Sequence, residues 1–150
     1  MPRAFTQNHY HMVFSTKNRL PLITADIEPR LHTFIGGILR DLRCSMIAIN
    51  GTADHIHVLA RYPTGLCHAD LVRHIKSRSC KWVHETFPEH RDFAWQEGYA
   101  GFTVSTSVVP AVEAYIAGQK EHHAHQDFRA EFLSKLRLNG IAFDEAEVFE

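Results

Sequence analysis

Two short stretches of the sequence place histidines one residue apart in runs of β-forming residues. "DHIHVLA" contains His55 and His57, and "NHYHMVF" contains His9 and His11. Because side chains alternate along a strand, two histidines with this spacing project from the same face. Such a pair can supply two nitrogen ligands to one cation if a third ligand comes from elsewhere, and Asp54 is near enough to orient the first pair. The alternative is a pair of half-exposed histidines on a polar sheet face, and spacing alone does not choose between the pairs.

A second pattern places a tyrosine and a glutamine four residues apart in a predicted helix. Tyr115 and Gln119 in "YIAGQKEHH" therefore lie on one face, one turn from each other. A glutamine carbonyl oxygen can bind a hard cation, and a tyrosine hydroxyl can act as a nucleophile that forms a covalent phosphodiester. The alternative is that the Tyr115 ring packs on the sheet and that Gln119 is solvated.

Cations are concentrated in one predicted helix, where no acid lies between Arg73 and Lys81. We expect these side chains to contact the phosphates of a nucleic acid, although they also fit an ordinary solvated helix face. Trp95 could stack on an unpaired base, or it could belong to the core. The expected phosphate contacts are Arg73, Lys76, Arg78 and Lys81, together with Lys17 and Arg19 in the turn after the first strand.

Three further histidines, His122, His123 and His125, lie close together after the Tyr-Gln pattern. No cysteine or acid completes a tetrahedral zinc set with them at a useful spacing. We therefore expect these three histidines to lie on a helix surface near the site.

The elements that must position these residues follow from hydrophobic periodicity. A first strand covers residues 9–15, and a helix capped by Asp26 follows it. "CSMIAIN" and "DHIHVLARY" predict a hairpin around Gly51, and a second helix runs over residues 69–86. Extended chain follows in "FAWQEGYAGFTVS", then a helix with Pro110 in its first turn, then a helix over residues 128–138. The order β-α-β-β-α-β predicts an α+β fold, a ferredoxin-like sandwich with one antiparallel sheet and extra C-terminal helices.

Length and composition limit the class of protein. The 150 residues correspond to a single domain, 45% of them are hydrophobic, and no apolar run is long enough to cross a membrane. The N-terminus lacks the pattern of a secretory signal, and the three cysteines lack C-x-x-C spacing. We therefore expect a soluble cytoplasmic protein without a membrane partner. The net charge of −1 does not by itself indicate nucleic-acid binding.

Four stretches in this order resemble one family: "HYHMVFSTKNRLPLIT", "DHIHVLA", "FAWQEGYAGFTVS" and "YIAGQKEHH". Together they are similar to the single-tyrosine HUH transposases of the smallest bacterial insertion sequences, the IS200-like type, and closer still to the repeat-associated tyrosine transposases. The resemblance covers residues 9–138. It implies that His55 and His57 form the metal pair, that Gln119 is the third ligand and that Tyr115 is the nucleophile.

The resemblance also implies an activity, a cofactor and partners. A divalent cation, Mg²⁺ or Mn²⁺, would hold the scissile phosphate of hairpin-bearing single-stranded DNA, and Tyr115 would form a 5′-phosphotyrosine. The family acts as homodimers with a movable tyrosine helix, which can serve the partner's histidines. Gly118 fits this mobility because glycine weakens a helix by about 1 kcal/mol relative to alanine. Two competing functions are a non-catalytic single-stranded nucleic-acid-binding module and a phosphodiesterase that uses water.

Overall fold

A single antiparallel sheet forms the centre of the computed structural model, which describes residues 4–149. Its strands are β1 (His9–Ser15), β2 (Ser45–Thr52), β3 (His55–Arg61) and β4 (Ala100–Val104). They are arranged in the order β2-β3-β1-β4, so that β1 and β3 occupy the middle. This order, with helices between β1 and β2 and between β3 and β4, confirms the ferredoxin-like α+β fold.

Helices cover both faces of the sheet. On one face, α1 (Glu28–Asp41) and α2 (His68–Thr86) pack on a large apolar cluster that includes Met12, Phe14 and Val58. The other face carries α3 (Val109–Ala117), α4 (Gln119–His122) and α5 (Phe128–Leu138). There a smaller cluster joins Val13 of β1 to Phe128, Phe132 and Leu136 of α5. Within residues 4–149, no helix has both the length and the apolar character needed to span a membrane.

Strand register places the histidines of β1 and β3 on the face covered by the C-terminal helices. His57 pairs with Val13, and His11 pairs with Leu59. Directly opposed residues project from the same face, so His11 and His57 both lie on the Val13 side. Every residue of β1 is buried, and the histidines in its "HYH" segment therefore belong to the interior of the protein.

Two predicted helix boundaries differ from the structure. Asp26 does not cap α1, because Ile27 occupies the N-cap position and the Asp26 carboxylate instead accepts a hydrogen bond from the Thr24 hydroxyl. The helix predicted around "VEAYIAGQKEHH" is divided at Gly118 into α3 and α4. The side-chain amide of Asn50 donates to the carbonyls of Ile116 and Ala117, at 3.0 and 3.1 Å, and so replaces helical hydrogen bonds at this break.

Gly51 allows the β2–β3 hairpin to close tightly against His55. A β-carbon at this position would overlap the backbone carbonyl of His55 and crowd the Cα of Ile56. Backbone atoms cannot move aside as a flexible side chain can, so only glycine fits without displacing β3.

We predict that Gly51→Ala lowers the free energy of unfolding by roughly 1–3 kcal/mol, the usual cost of overpacking. Gly37→Ala is the matched control, because a β-carbon there would meet no atom within 4 Å. This control lies inside α1, where alanine should stabilise the helix by about 0.5–1 kcal/mol. Urea unfolding measures both changes, and equal stabilities for the two variants would contradict the prediction.

Candidate metal and tyrosine centre

The two histidines of β3 are fully buried and are oriented by partners on their Nδ1 atoms. His55 Nδ1 lies 2.8 Å from an Asp54 carboxylate oxygen and 3.0 Å from the Thr52 hydroxyl. His57 Nδ1 lies 2.8 Å from Nε2 of His11. In both residues Nε2 therefore points towards the C-terminal helices, as in many metal-ligating histidines whose other ring nitrogen is held by a hydrogen bond.

The Tyr-Gln pattern meets these histidines within the same chain. The Tyr115 and His57 ring centroids are 5.8 Å apart, and Gln119 Oε1 lies 3.0 Å from His55 Nε2. Gln119 is fully buried, so the alternative of a solvated glutamine is wrong. The four residues that the sequence combined, His55, His57, Tyr115 and Gln119, thus lie together despite the break at Gly118.

A carboxylate that sequence reasoning missed lies at the centre of this group. Glu131 of α5 has a side chain only 3% exposed, and its Oε1 lies 2.8 Å from His57 Nε2. Its Oε2 accepts hydrogen bonds from the Tyr115 hydroxyl and, at 3.3 Å, from the Gln119 amide. One sequence signal was available: Glu131 lies three residues after Phe128, on the apolar face of α5.

His123 corrects the expectation that the histidine cluster lies on a helix surface. Its side chain is 8% exposed, and Nε2 lies 3.2 Å from Glu131 Oε2. No acid at a useful spacing from these histidines was identified in the sequence. Glu131 supplies one, because the following helix, α5, folds back against α4. His122 is partly exposed and also approaches Glu131, at 3.1 Å, whereas His125 is exposed as expected.

Burial dominates the electrostatics of the centre. It lowers the pKa of His57 to about 4 despite the neighbouring carboxylate, and it lowers the pKa of His11 to about 3. Burial and the Glu131 carboxylate together raise the pKa of Tyr115 above its usual value. Burial alone would raise the pKa of Glu131, but hydrogen bonds from His57 and Tyr115 outweigh it and lower that pKa. At neutral pH His11 and His57 are therefore neutral, Tyr115 keeps its proton and Glu131 is ionised.

The donor atoms of this centre fit a divalent cation. With Nδ1 of His55 donating to Asp54, its Nε2 lone pair faces the Gln119 carbonyl oxygen at 3.0 Å. This distance between two electron-pair donors is the one expected for neighbouring ligands of one cation. Two metal–ligand bonds of about 2.1 Å at right angles end about 3 Å apart. One donor atom from each of His55, His57, His123 and Glu131 also lies within 4.8 Å of the others.

Most of the residues expected to contact DNA lie away from this centre. Helix α2 packs on the opposite face of the sheet from the centre, and its cations have partners: Arg73 with Asp70, Arg78 with Asp41 and Lys81 with Glu85. The Lys76 ammonium contacts the carbonyls of residues 96–98, and burial lowers its pKa to about 8. Trp95 is 8% exposed and donates to the Ser79 hydroxyl, so the structure favours a core role over base stacking.

The two cations in the turn after β1 remain exposed. Lys17 and Arg19 lie in a short 3₁₀ segment, and the Arg19 guanidinium sits 4.9 Å from the centre of the Phe149 ring. Arg19 also lines a cleft of about 720 Å³ that reaches Asp54 and His123. Of the six predicted phosphate contacts, Arg19 is therefore the one that borders the centre.

Comparison with known proteins decides the family. A model of the IS200-like transposase family matches residues 4–119 of the 150. The chain belongs to this family. Its membership supports transposase function, an enzyme that cleaves DNA and transfers strands.

Relatives of known identity agree with this IS200-like assignment. The ISDra2 transposase TnpA of Deinococcus radiodurans is 21% identical over 120 residues, which cover 77% of this chain and 86% of that protein. A crystal structure assigned as a transposase of Deinococcus radiodurans R1 has a TM-score of 0.65 at 20% identity, covering 79% of this chain and 95% of the other. The structure of a REP-associated tyrosine transposase bound to a REP hairpin has a TM-score of 0.59 at 17% identity. The match covers 82% of this chain and 73% of the other. These structures share the fold of this chain.

The position of the tyrosine helix depends on Asn50. Its side-chain amide donates to two carbonyls at the end of α3, and its oxygen accepts from Lys120 Nζ at 2.8 Å. We predict that Asn50→Ala speeds amide hydrogen exchange throughout α3, because each lost hydrogen bond contributes about 1 kcal/mol.

Asn8→Ala is the control, since within residues 4–149 the Asn8 side chain has no hydrogen-bond partner while its backbone carbonyl accepts from Tyr62. Hydrogen exchange followed by mass spectrometry measures both variants. Unchanged protection of α3 in Asn50→Ala would show that the helix is held by other contacts.

Proposed function

We propose that this protein cleaves and rejoins single-stranded DNA through a covalent bond between Tyr115 and a 5′-phosphate, with a divalent cation as cofactor. The observation that carries the proposal is the Tyr115 hydroxyl, hydrogen-bonded to a carboxylate that also contacts His57. A nucleophile and a set of metal-ligating side chains thus share one buried centre. Membership of the IS200-like family supports the same activity.

The roles of the residues follow from their contacts. His55, His57 and the carbonyl oxygen of Gln119 would hold Mg²⁺ or Mn²⁺. When bound, that cation would polarise the scissile phosphate and stabilise its developing negative charge. Asp54 keeps the Nε2 lone pair of His55 directed inwards, and His11 would do the same for His57 by accepting a hydrogen bond from its Nδ1.

Tyr115 supplies the attacking oxygen. Its phenol is neutral at physiological pH, so the hydroxyl must lose its proton as the bond to phosphorus forms. Glu131 accepts the hydrogen bond from this hydroxyl and so orients the oxygen. The proton that the phenol loses is balanced by the one that the departing 3′ oxygen gains. The bond from phosphorus to the 3′ oxygen breaks, and that oxygen leaves with a proton as a free 3′-hydroxyl. Attack by a 3′-hydroxyl on the phosphotyrosine reverses the step, so rejoining requires no nucleotide cofactor.

The cleft beside the centre is the proposed path of the DNA strand. It is lined by Arg19 and Lys120 as well as by Asp54 and His123. Arg19 would contact a phosphate close to the cleaved bond, with Lys17 beside it. The α2 cations Arg73, Arg78 and Lys81 would contact DNA only at a distance from the centre, because they lie on the other face of the sheet.

Hairpin-bearing DNA and a second copy of the chain complete the proposal. A relative of the same fold is bound to a REP hairpin, which supports a hairpin beside the cleaved strand as the substrate of this protein. We also propose that the protein acts as a homodimer. In the single chain Tyr115 approaches its own His57, so the dimer does not need to exchange tyrosine helices to bring the nucleophile to the histidines.

We predict that Tyr115→Phe abolishes the protein–DNA adduct. The wild-type protein, incubated with hairpin-bearing single-stranded DNA and Mg²⁺ or Mn²⁺, should give a shifted band on a denaturing gel that EDTA prevents. Tyr99→Phe is the control, because this half-exposed tyrosine lies outside the centre. An adduct that persists in Tyr115→Phe would refute the nucleophile, and cleavage without any adduct would indicate a hydrolase that uses water.

A second prediction concerns the DNA path. Arg19→Gln should weaken binding of single-stranded DNA and lower the slope of log K against log salt concentration by about 0.7, the change for one lost phosphate contact. Arg137→Gln is the matched control, because Arg137 pairs with Glu145 near the end of α5 and does not line the cleft. Fluorescence anisotropy over a salt series measures both, and an unchanged slope for Arg19→Gln would place the strand elsewhere.

A further inference from the structure

We propose that His123 and Glu131 join His55, His57 and Gln119 as ligands of one cation, and that the three imidazoles and one carboxylate of this set select a transition ion over Mg²⁺. This inference rests on the cation site of the proposed function and extends it. It assigns two ligands outside residues 4–119, the segment that matches the family. It also predicts an order of affinity, in which Zn²⁺ binds more tightly than Mn²⁺ and Mn²⁺ more tightly than Mg²⁺.

The contacts of His123 support a ligand role. Within the described residues 4–149, its Nε2 is buried and makes no hydrogen bond, although it lies 3.2 Å from Glu131 Oε2. Buried polar atoms in proteins nearly always have partners, so this nitrogen needs one that the polypeptide does not supply. The His123 ring also packs 4.5 Å from the His55 ring, which brings it to the existing pair. A cation shared with His55 and Glu131 would satisfy the nitrogen.

The two oxygens of Glu131 face different partners. Oε1 lies 2.8 Å from His57 Nε2 and 4.0 Å from His55 Nε2, among the ligands from β3. Oε2 accepts from the Tyr115 hydroxyl and the Gln119 amide. Glu131 can therefore bind the cation through Oε1 while Oε2 keeps its hydrogen bond to the nucleophile. The same carboxylate would fix the distance between the cation and the tyrosine oxygen.

The chemistry of the donors determines the preferred ion. Mg²⁺ favours an octahedral shell of oxygen atoms and retains several water molecules. Imidazole nitrogen suits Zn²⁺ and other first-row transition ions, and three imidazoles with one carboxylate are a set that such ions accept. Two imidazoles with one amide, the set expected from the resemblance, would favour transition ions over Mg²⁺ less strongly.

The test is metal binding by the intact protein in the absence of DNA. Isothermal titration of the metal-free wild type with Zn²⁺, Mn²⁺ and Mg²⁺ should give one site and the order of affinity stated above. His123→Ala and Glu131→Gln should each weaken Zn²⁺ binding by at least about tenfold, the loss that even an outer-shell change can cause. His125→Ala, an exposed histidine two residues away, should bind Zn²⁺ like the wild type.

X-ray absorption at the zinc edge provides a second readout that does not depend on stability. The wild-type spectrum should fit three imidazoles, and that of His123→Ala should fit two. Wild-type affinity in both His123→Ala and Glu131→Gln, or two imidazoles in the wild type, would overturn the inference. Those results would leave the Tyr115 adduct intact, so failure here is distinguishable from failure of the proposed nuclease activity.

Discussion

The arrangement of the C-terminal helices on the sheet depends on the hydrogen bonds of one buried carboxylate, that of Glu131. A buried negative charge without partners costs several kcal/mol, so its burial requires hydrogen-bond donors or cations around it. Glu131 obtains them from three directions: His57 on the central sheet, Tyr115 on α3 and Gln119 at the start of α4. The C-terminal helices are thereby held on the sheet by polar contacts as well as by the small apolar cluster of Val13, Phe128 and Phe132.

This polar interior also accounts for one member of the β1 histidine pair, His11. His11 lies behind His57 and contacts its Nδ1, so this histidine of β1 supports a histidine of the β3 pair. The spacing of the two pairs could not show which pair faces Gln119 and Glu131 and which lies behind it. Register could, because the antiparallel pairing of β1 with β3 places His11 and His57 on the same buried face.

Local rules predicted the fold and half of the centre. Strand alternation gave His55 and His57 a common face, and helical spacing brought Tyr115 and Gln119 together even though Gly118 divides the helix. Glu131 was not identified from the sequence, and His123 was placed near the centre but not in it. The turn between α4 and α5, which brings Glu131 to His123, has no periodic signal in the sequence. Of the acids that pair with the α2 cations, Asp41 could not be predicted from local spacing either, since it belongs to α1 and meets Arg78 only in the folded protein.

The order of these residues along the chain has a consequence for synthesis. Tyr115 is followed along the chain by Gln119 and Glu131, and Glu131 belongs to the last helix that the structure describes. A nascent chain whose sheet has already formed on the ribosome still lacks the carboxylate that orients the tyrosine. The contacts of Glu131 with Tyr115 and His57 therefore form only after α5 has been made, and until then the histidines of the sheet lack their carboxylate partner.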